Sequence, residues 1–102
     1  MIVEWTEPAL SDMENIREYI GKDSEYYASQ FIEKIIGAVE GLEKFPNIGR
    51  IIPEAENDNF RELLFSNYRI MYRVDTECIV VLAVIHDARD VLQKEKKPWE
   101  II

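Results

Sequence analysis

Eight consecutive residues, Cys78-Ile79-Val80-Val81-Leu82-Ala83-Val84-Ile85, are apolar without a break. The run is far too short to cross a membrane as a helix, which takes about 20 residues, and its β-branched character reads as a strand. A strand apolar on both sides belongs in the middle of a sheet or must be covered on both faces. The rest of the chain has to be arranged around it.

Two strand signals precede it. Phe60–Phe65 and Tyr68–Val74 are separated only by Ser66-Asn67, which makes a tight hairpin the natural connection. In the second of these strands Tyr68, Ile70, Tyr72 and Val74 share one face, and Arg69, Met71 and Arg73 share the other. The first face is expected to pack on helices. The second presents two arginines around a methionine, is not covered by a single helical hairpin, and is expected to await another cover. Arg61 on the neighbouring strand joins that set if the hairpin register allows it, and the sequence leaves the register open.

The first half supplies the helices. Ile2–Thr6 alternates as a short strand, and Thr6 or Glu7 caps a helix with Pro8 in its first turn. Ala9, Met13, Ile16 and Ile20 give that helix one apolar face from about Pro8 to Ile20, with Gly21 as its stop. Asp23 or Ser24 caps a second helix in which Ala28, Phe31, Ile32, Ile35, Val39 and Leu42 form a stripe ending before Pro46. Gly37 and Gly41 within it each cost about 1 kcal/mol relative to Ala, so a packing partner is expected to approach there. Phe45–Asn59 reads as an irregular loop with a turn at Gly49-Arg50. The apolar end, from Pro98-Trp99 to Ile101-Ile102, is expected to dock on the domain or a partner.

The expected fold class is α+β: an N-terminal strand, an antiparallel two-helix hairpin and a three-stranded antiparallel sheet. At 102 residues with 47% hydrophobic side chains, it is expected to be one domain spanning 1–102. A net charge of −8 opposes strong unaided nucleic-acid binding. All of that net charge lies in residues 1–60, which hold 5 basic and 13 acidic side chains. Cys78 and His86 are the only residues of their kinds, so neither a disulfide nor a classical metal site is expected, and no cofactor is implied. With no leader-like start, this points to a reduced, cytoplasmic protein.

Several short patterns fall in a fixed order: Trp5-Thr6-Glu7-Pro8-Ala9, Phe45-Pro46-Asn47-Ile48-Gly49-Arg50 with Pro53-Glu54, Arg61-Glu62, Tyr68–Val74, and Val84-Ile85-His86-Asp87-Ala88-Arg89-Asp90. Together they resemble the RelE/ParE family of toxins from bacterial type II toxin–antitoxin modules, often called plasmid stabilisation proteins. The resemblance implies growth inhibition held in check by a cognate antitoxin, which wraps the toxin and with it represses their own promoter. It also implies one of two mechanisms. RelE-like and YoeB-like members cleave messenger RNA on the ribosome; ParE-like members poison DNA gyrase and are not nucleases.

Cleavage of RNA by its own 2′-hydroxyl needs a base, an acid and cations around the phosphate. By resemblance to YoeB-like members, Glu54, Arg69 and His86 would be base, phosphate clamp and acid. Asp87 stands where those members carry an aromatic, and the loop Phe45–Asn59 lacks the lysine cluster of RelE-like ones. Both departures favour the ParE-like branch, in which Arg61, Arg69, Met71, Arg73 and Arg89 form a protein-binding surface for antitoxin or target. The plainer readings are that His86 is a structural hydrogen-bonding residue, that Arg69 and Arg73 pair with Glu62, Asp75 or Glu77, and that Cys78 is a core residue. A solitary, non-toxic binding module is the third possibility.

Overall fold

Thr6 ends the first strand and begins the first helix with one side chain. In the computed structural model, which describes residues 1–88 and 97–100, β1 (Ile2–Trp5) runs directly into α1 (Glu7–Gly21). The Thr6 hydroxyl oxygen accepts from the Ala9 N–H at 3.2 Å, and Pro8 occupies the first turn. Ser24 does the same for α2 (Glu25–Glu40), accepting from the Tyr27 N–H at 3.1 Å. A single 3-10 turn, Gly41–Glu43, then carries Leu42 into the core. Ala9, Met13 and Ile16 of α1 and Ala28, Ile35 and Val39 of α2 are buried, so the apolar stripes are the contact faces.

The sheet is larger than the sequence pattern implied. β2 (Arg50–Ile51), β3 (Phe60–Phe65), β4 (Tyr68–Val74) and β5 (Cys78–His86) form an antiparallel array, and β1 joins it parallel to β5, in the order β1-β5-β4-β3-β2. Five strands replace the expected three plus one because a two-residue strand has no readable period, and a parallel neighbour is reached only through a long crossover. The apolar run of β5 is thereby paired on both edges, with β1 and with β4. Where β1 stops, side chains take over: the Thr6 hydroxyl donates to the carbonyls of Val81 and Leu82 at 3.0 and 3.3 Å, and the Asp12 carboxylate accepts from the Val84 N–H at 2.9 Å. A bulge at Leu82 shifts the β4–β5 register there, with Met71 opposite Ala83 and Tyr72 opposite Val81.

One face of the sheet carries the main core, where Ile70, Tyr72, Ile79, Val81 and Val84 meet α1 and α2. The other face corrects an expectation. It is not open: Met71, Ala83 and Ile85 are covered by Ile52, Ala55, Phe60 and Trp99, the last from a C-terminal 3-10 turn, Pro98–Glu100. Loop and terminus, rather than a partner, bury Met71 completely. A second expectation also fails. A Cβ placed on Gly37 or Gly41 meets nothing within 4 Å, so no element among the described residues packs there. No helix among the described residues is long and apolar enough to cross a membrane. Arg89, Ile101 and Ile102 lie outside the described residues.

Candidate functional site

The Ser66-Asn67 turn fixes which side chains meet. Ser66 takes a left-handed backbone (φ 53°), the connection is two residues long, and Phe65 therefore pairs with Tyr68, Leu64 with Arg69 and Glu62 with Met71. Arg61 falls opposite Tyr72, on the helical face. The residue that shares a face with Arg69 is Glu62, so the expected grouping of Arg61 with Arg69, Met71 and Arg73 does not form.

Around Arg69 the structure assembles a chain of four charges. Arg69 Nε donates to Glu62 Oε1 at 2.6 Å, while its two terminal nitrogens fork onto Glu54 at 2.8 and 3.1 Å. Arg50 Nε donates to the other Glu62 oxygen at 2.6 Å. The Glu62 carboxylate is fully buried and Arg69 nearly so. Two cations and two anions cancel, and no buried side-chain polar atom among the described residues lacks a partner. Hydrogen bonding from Arg69 holds the Glu54 carboxyl below its ordinary range despite burial, and Glu54 in turn raises the Arg69 guanidinium. Glu54 is therefore a weakened base, and Arg69 a cation already committed to two carboxylates. They border a cavity of about 330 Å³ with Arg50, Pro53, Leu64 and Asp87.

His86 is elsewhere. It pairs with Tyr68 across the sheet, its ring edge-on to that tyrosine at 5.5 Å on the helical face, whereas Arg69 points to the other face. Its Nδ1 accepts from the Ala88 N–H at 3.2 Å, the structural role expected of a lone histidine at a strand end. The structure brings Glu54 and Arg69 together and leaves His86 with Tyr19, Asn67 and Tyr68 at a separate cavity. Arg73 is paired with Asp75 at 2.8 and 2.9 Å, which raises the arginine and lowers the aspartate. Burial raises the Cys78 thiol, so it is no activated nucleophile.

The loop before β2 is held from beneath. Tyr72 Oη donates to the Pro46 carbonyl at 2.8 Å and accepts from the Gly49 N–H at 3.0 Å, and Arg61 Nη1 donates to the carbonyls of Gly49 and Asn47 at 2.8 and 3.3 Å. A Cβ on Gly49 would lie 2.5 Å from Tyr72 Oη and 2.6 Å from the Glu62 carbonyl oxygen, so only glycine fits. Arg50 is the site residue that pattern reasoning missed, whereas the pairs Arg69–Glu62 and Arg73–Asp75 are among those its plainer reading named. A literal two-residue turn at Ser66-Asn67 sets the β3–β4 register, and with it the face that Arg61 takes.

On the far side, Trp5, Leu10, Met13, Ile32 and Ile36 line an apolar cleft of about 190 Å³. Glu7 and Glu14 flank Leu10 along α1, Glu33 and Glu40 flank Ile36 along α2, and all four are exposed with no ion-pair partner among the described residues.

Comparison with known proteins places these features in company. The family model described as "ParE toxin of type II toxin-antitoxin system, parDE" matches residues 3–91. A protein named Toxin RelE2, from Caulobacter vibrioides, is 32% identical over 88 residues, 85% of this chain and 96% of that protein. Putative toxin Y4kP, from Sinorhizobium fredii, is 31% identical over 86 residues, 82% of this chain and 85% of that one. Among solved structures, a chain of the chromosomal ParDE system from P. aeruginosa superposes with a TM-score of 0.71 at 24% identity, covering 84% of this chain and 95% of that one. A chain of the RelBE2 toxin–antitoxin complex from Mycobacterium tuberculosis gives 0.61 at 21% identity, covering 83% and 95%. These two superpositions bear on the fold alone.

Proposed function

The chain belongs to the ParE/RelE family as a toxin of a type II toxin–antitoxin system, and from that premise we propose that it arrests growth in the cytoplasm by binding a protein target, DNA gyrase, rather than by cutting messenger RNA. The observation that carries this reading is the self-neutralised chain Arg50–Glu62–Arg69–Glu54, with His86 on the opposite face of the sheet. A ribonuclease site needs a competent base, a free cation at the phosphate and an acid on one side of the substrate. Here the candidate base is weakened, the cation is occupied, and the candidate acid is turned away.

The cognate antitoxin is proposed to seat an apolar segment in the cleft between α1 and α2. Four carboxylates around Leu10 and Ile36, without ion-pair partners among the described residues, favour a segment whose apolar residues are flanked by Lys or Arg.

The test compares purified chain against gyrase supercoiling and against messenger RNA on translating ribosomes. Inhibited supercoiling with intact RNA supports the reading. In cells, Glu54→Gln and His86→Ala are each expected to arrest growth as the unaltered chain does. Folded variants that both lose arrest, together with RNA cleavage by the unaltered chain, would favour the ribosome-dependent nuclease.

A further inference from the structure

The cavity that holds His86 is walled by rings. It has a volume of about 450 Å³ and is lined by Tyr19, Asn67, Tyr68 and His86, within the roughly 300–1,000 Å³ usual for small-molecule sites. Tyr68 is pinned in place. Its ring meets Phe31 edge-on at 5.8 Å and His86 at 5.5 Å, and Phe31 is held in turn by Phe65 at 5.6 Å. The Tyr68 and His86 planes stand 80° apart, so the two rings form a corner rather than a stack. Asn67 is fixed at the hairpin turn, where its carbonyl accepts from the Asp87 N–H at 2.8 Å. Tyr19, from the last turn of α1, adds a third ring and is 69% exposed.

The lining carries hydrogen-bonding groups but no carboxylate, ammonium or guanidinium. Asp87, next to His86, lines the other cavity, and the Lys22 ammonium lies 6.0 Å from the Tyr19 ring centroid. Because His86 Nδ1 accepts from the Ala88 N–H, the imidazole carries its proton on Nε2, which is a donor. Burial, and the Tyr19 phenol beside it, push the Tyr68 hydroxyl up, so it keeps its proton as well. Asn67 contributes an amide with both a donor and an acceptor. An anion finds no basic group in this lining and a cation no carboxylate. It suits a flat, uncharged ring with hydrogen-bonding groups along its edge.

We infer that this cavity is a nucleobase site, taking the base of a free nucleoside against the rings of Tyr19, Tyr68 and His86 with the Asn67 amide at its edge. Bases outside a helical stack are held in this way, on aromatic side chains and by hydrogen bonds to their edges. An Asn amide pairs with adenine through a donor and an acceptor side by side, which makes adenosine the probe of choice. A base within an RNA strand fits less well. A strand needs cations along its backbone, and the lining supplies none in a chain of net charge −8. The site is separate from the four-charge chain and from the cleft between α1 and α2, and it stands whether or not gyrase is the target.

The experiment titrates adenosine into the full chain and follows backbone amide shifts by NMR. Saturable shifts are expected at Tyr19, Asn67, Tyr68 and His86. Tyr19→Ala and Asn67→Ala are each expected to weaken adenosine binding by about fivefold or more, while Tyr19→Phe, which keeps the ring, stays close to the unaltered chain. Tyr19 is exposed and Asn67 sits in a turn whose backbone bond does not need its side chain, so both variants are expected to fold, and their amide spectra check it. Absence of a saturable shift in the unaltered chain, shifts confined to another part of the molecule, or equal binding by the folded Tyr19→Ala and Asn67→Ala variants would each overturn the inference. Argininamide and inorganic phosphate serve as cation and anion probes, and tighter binding of either at these residues also overturns it. A short adenine-only RNA strand that binds there while adenosine does not would assign the rings to a nucleic acid and overturn the free nucleoside.

Discussion

Replacing Arg69 with methionine tests whether the four-charge chain is framework or machinery. Methionine keeps much of the stem's packing but strips the Glu62 carboxylate, which has no solvent exposure, of one of its two cations. Arg50 remains, but its side chain is 55% exposed and its pull is screened by water. Breaking a buried pair from one side costs about 3–5 kcal/mol, a large share of the roughly 5–15 kcal/mol that holds a domain of this kind together. With a urea slope of about 1.5 kcal/mol per M, the midpoint falls by about 2 to 3 M. Adding Glu62→Gln removes the stranded charge, so the double variant loses less than the two single changes together, with a coupling of about 2 kcal/mol. Tryptophan fluorescence is a suitable probe, since Trp5 and Trp99 report on the two faces of the sheet. A loss below about 1 kcal/mol for Arg69→Met, or strictly additive effects, would refute the reasoning. If the double variant refolds and still arrests growth, Arg69 is a structural residue.

Other consequences can be measured alongside. Gly49→Ala drives a methyl group against Tyr72 and the Glu62 backbone, and a loss of about 2–3 kcal/mol is expected in the same urea titration. Tyr72→Phe leaves the buried Gly49 N–H without its acceptor and should cost about 1–3 kcal/mol. The Glu54 and Asp75 carboxyls are held below their ordinary 4.5 and 3.8 by Arg69 and Arg73. Their stabilisation is thus complete above those values and is lost as pH falls through the lower folded ones; Glu54→Gln should flatten part of that acid-side decline in urea midpoints taken from about pH 3 to 7. Leu10→Glu or Ile36→Glu places another carboxylate in the apolar cleft and is expected to weaken antitoxin capture by about tenfold or more in a pull-down titration, with growth arrest by the free toxin retained.

The parts of the fold legible in the sequence are those with local periods. The stripes of α1 and α2, the caps at Thr6 and Ser24, the Ser66-Asn67 turn and the two faces of β4 follow from spacings of a few residues. What stayed hidden is non-local. Nothing near Ile2 signals a parallel pairing with Cys78, and β2 is too short to carry a pattern. The cover over Met71 comes from Ile52 and Trp99, distant in the chain and separately unremarkable. The site shows the same division. Glu54 and Arg69 were found because each sits in a recognisable segment, Arg61 was put on the wrong face because the register was unset, and His86 was placed with them because sequence proximity to a strand end does not say which face a side chain takes.

The parallel pairing of β1 with β5 also has a bearing on when the molecule comes into being. Thr6 reaches its acceptors at Val81 and Leu82 across 75 and 76 positions of chain. During synthesis the helical hairpin, built from local contacts, can form early, while the central strand is still inside the ribosome. The sheet cannot close until that strand has emerged, so a nascent chain ending before Cys78 should be harmless and open to proteolysis. Growth arrest from chains truncated at Glu77 would contradict this. Such a delay leaves an interval in which an antitoxin already present can meet the toxin as it folds.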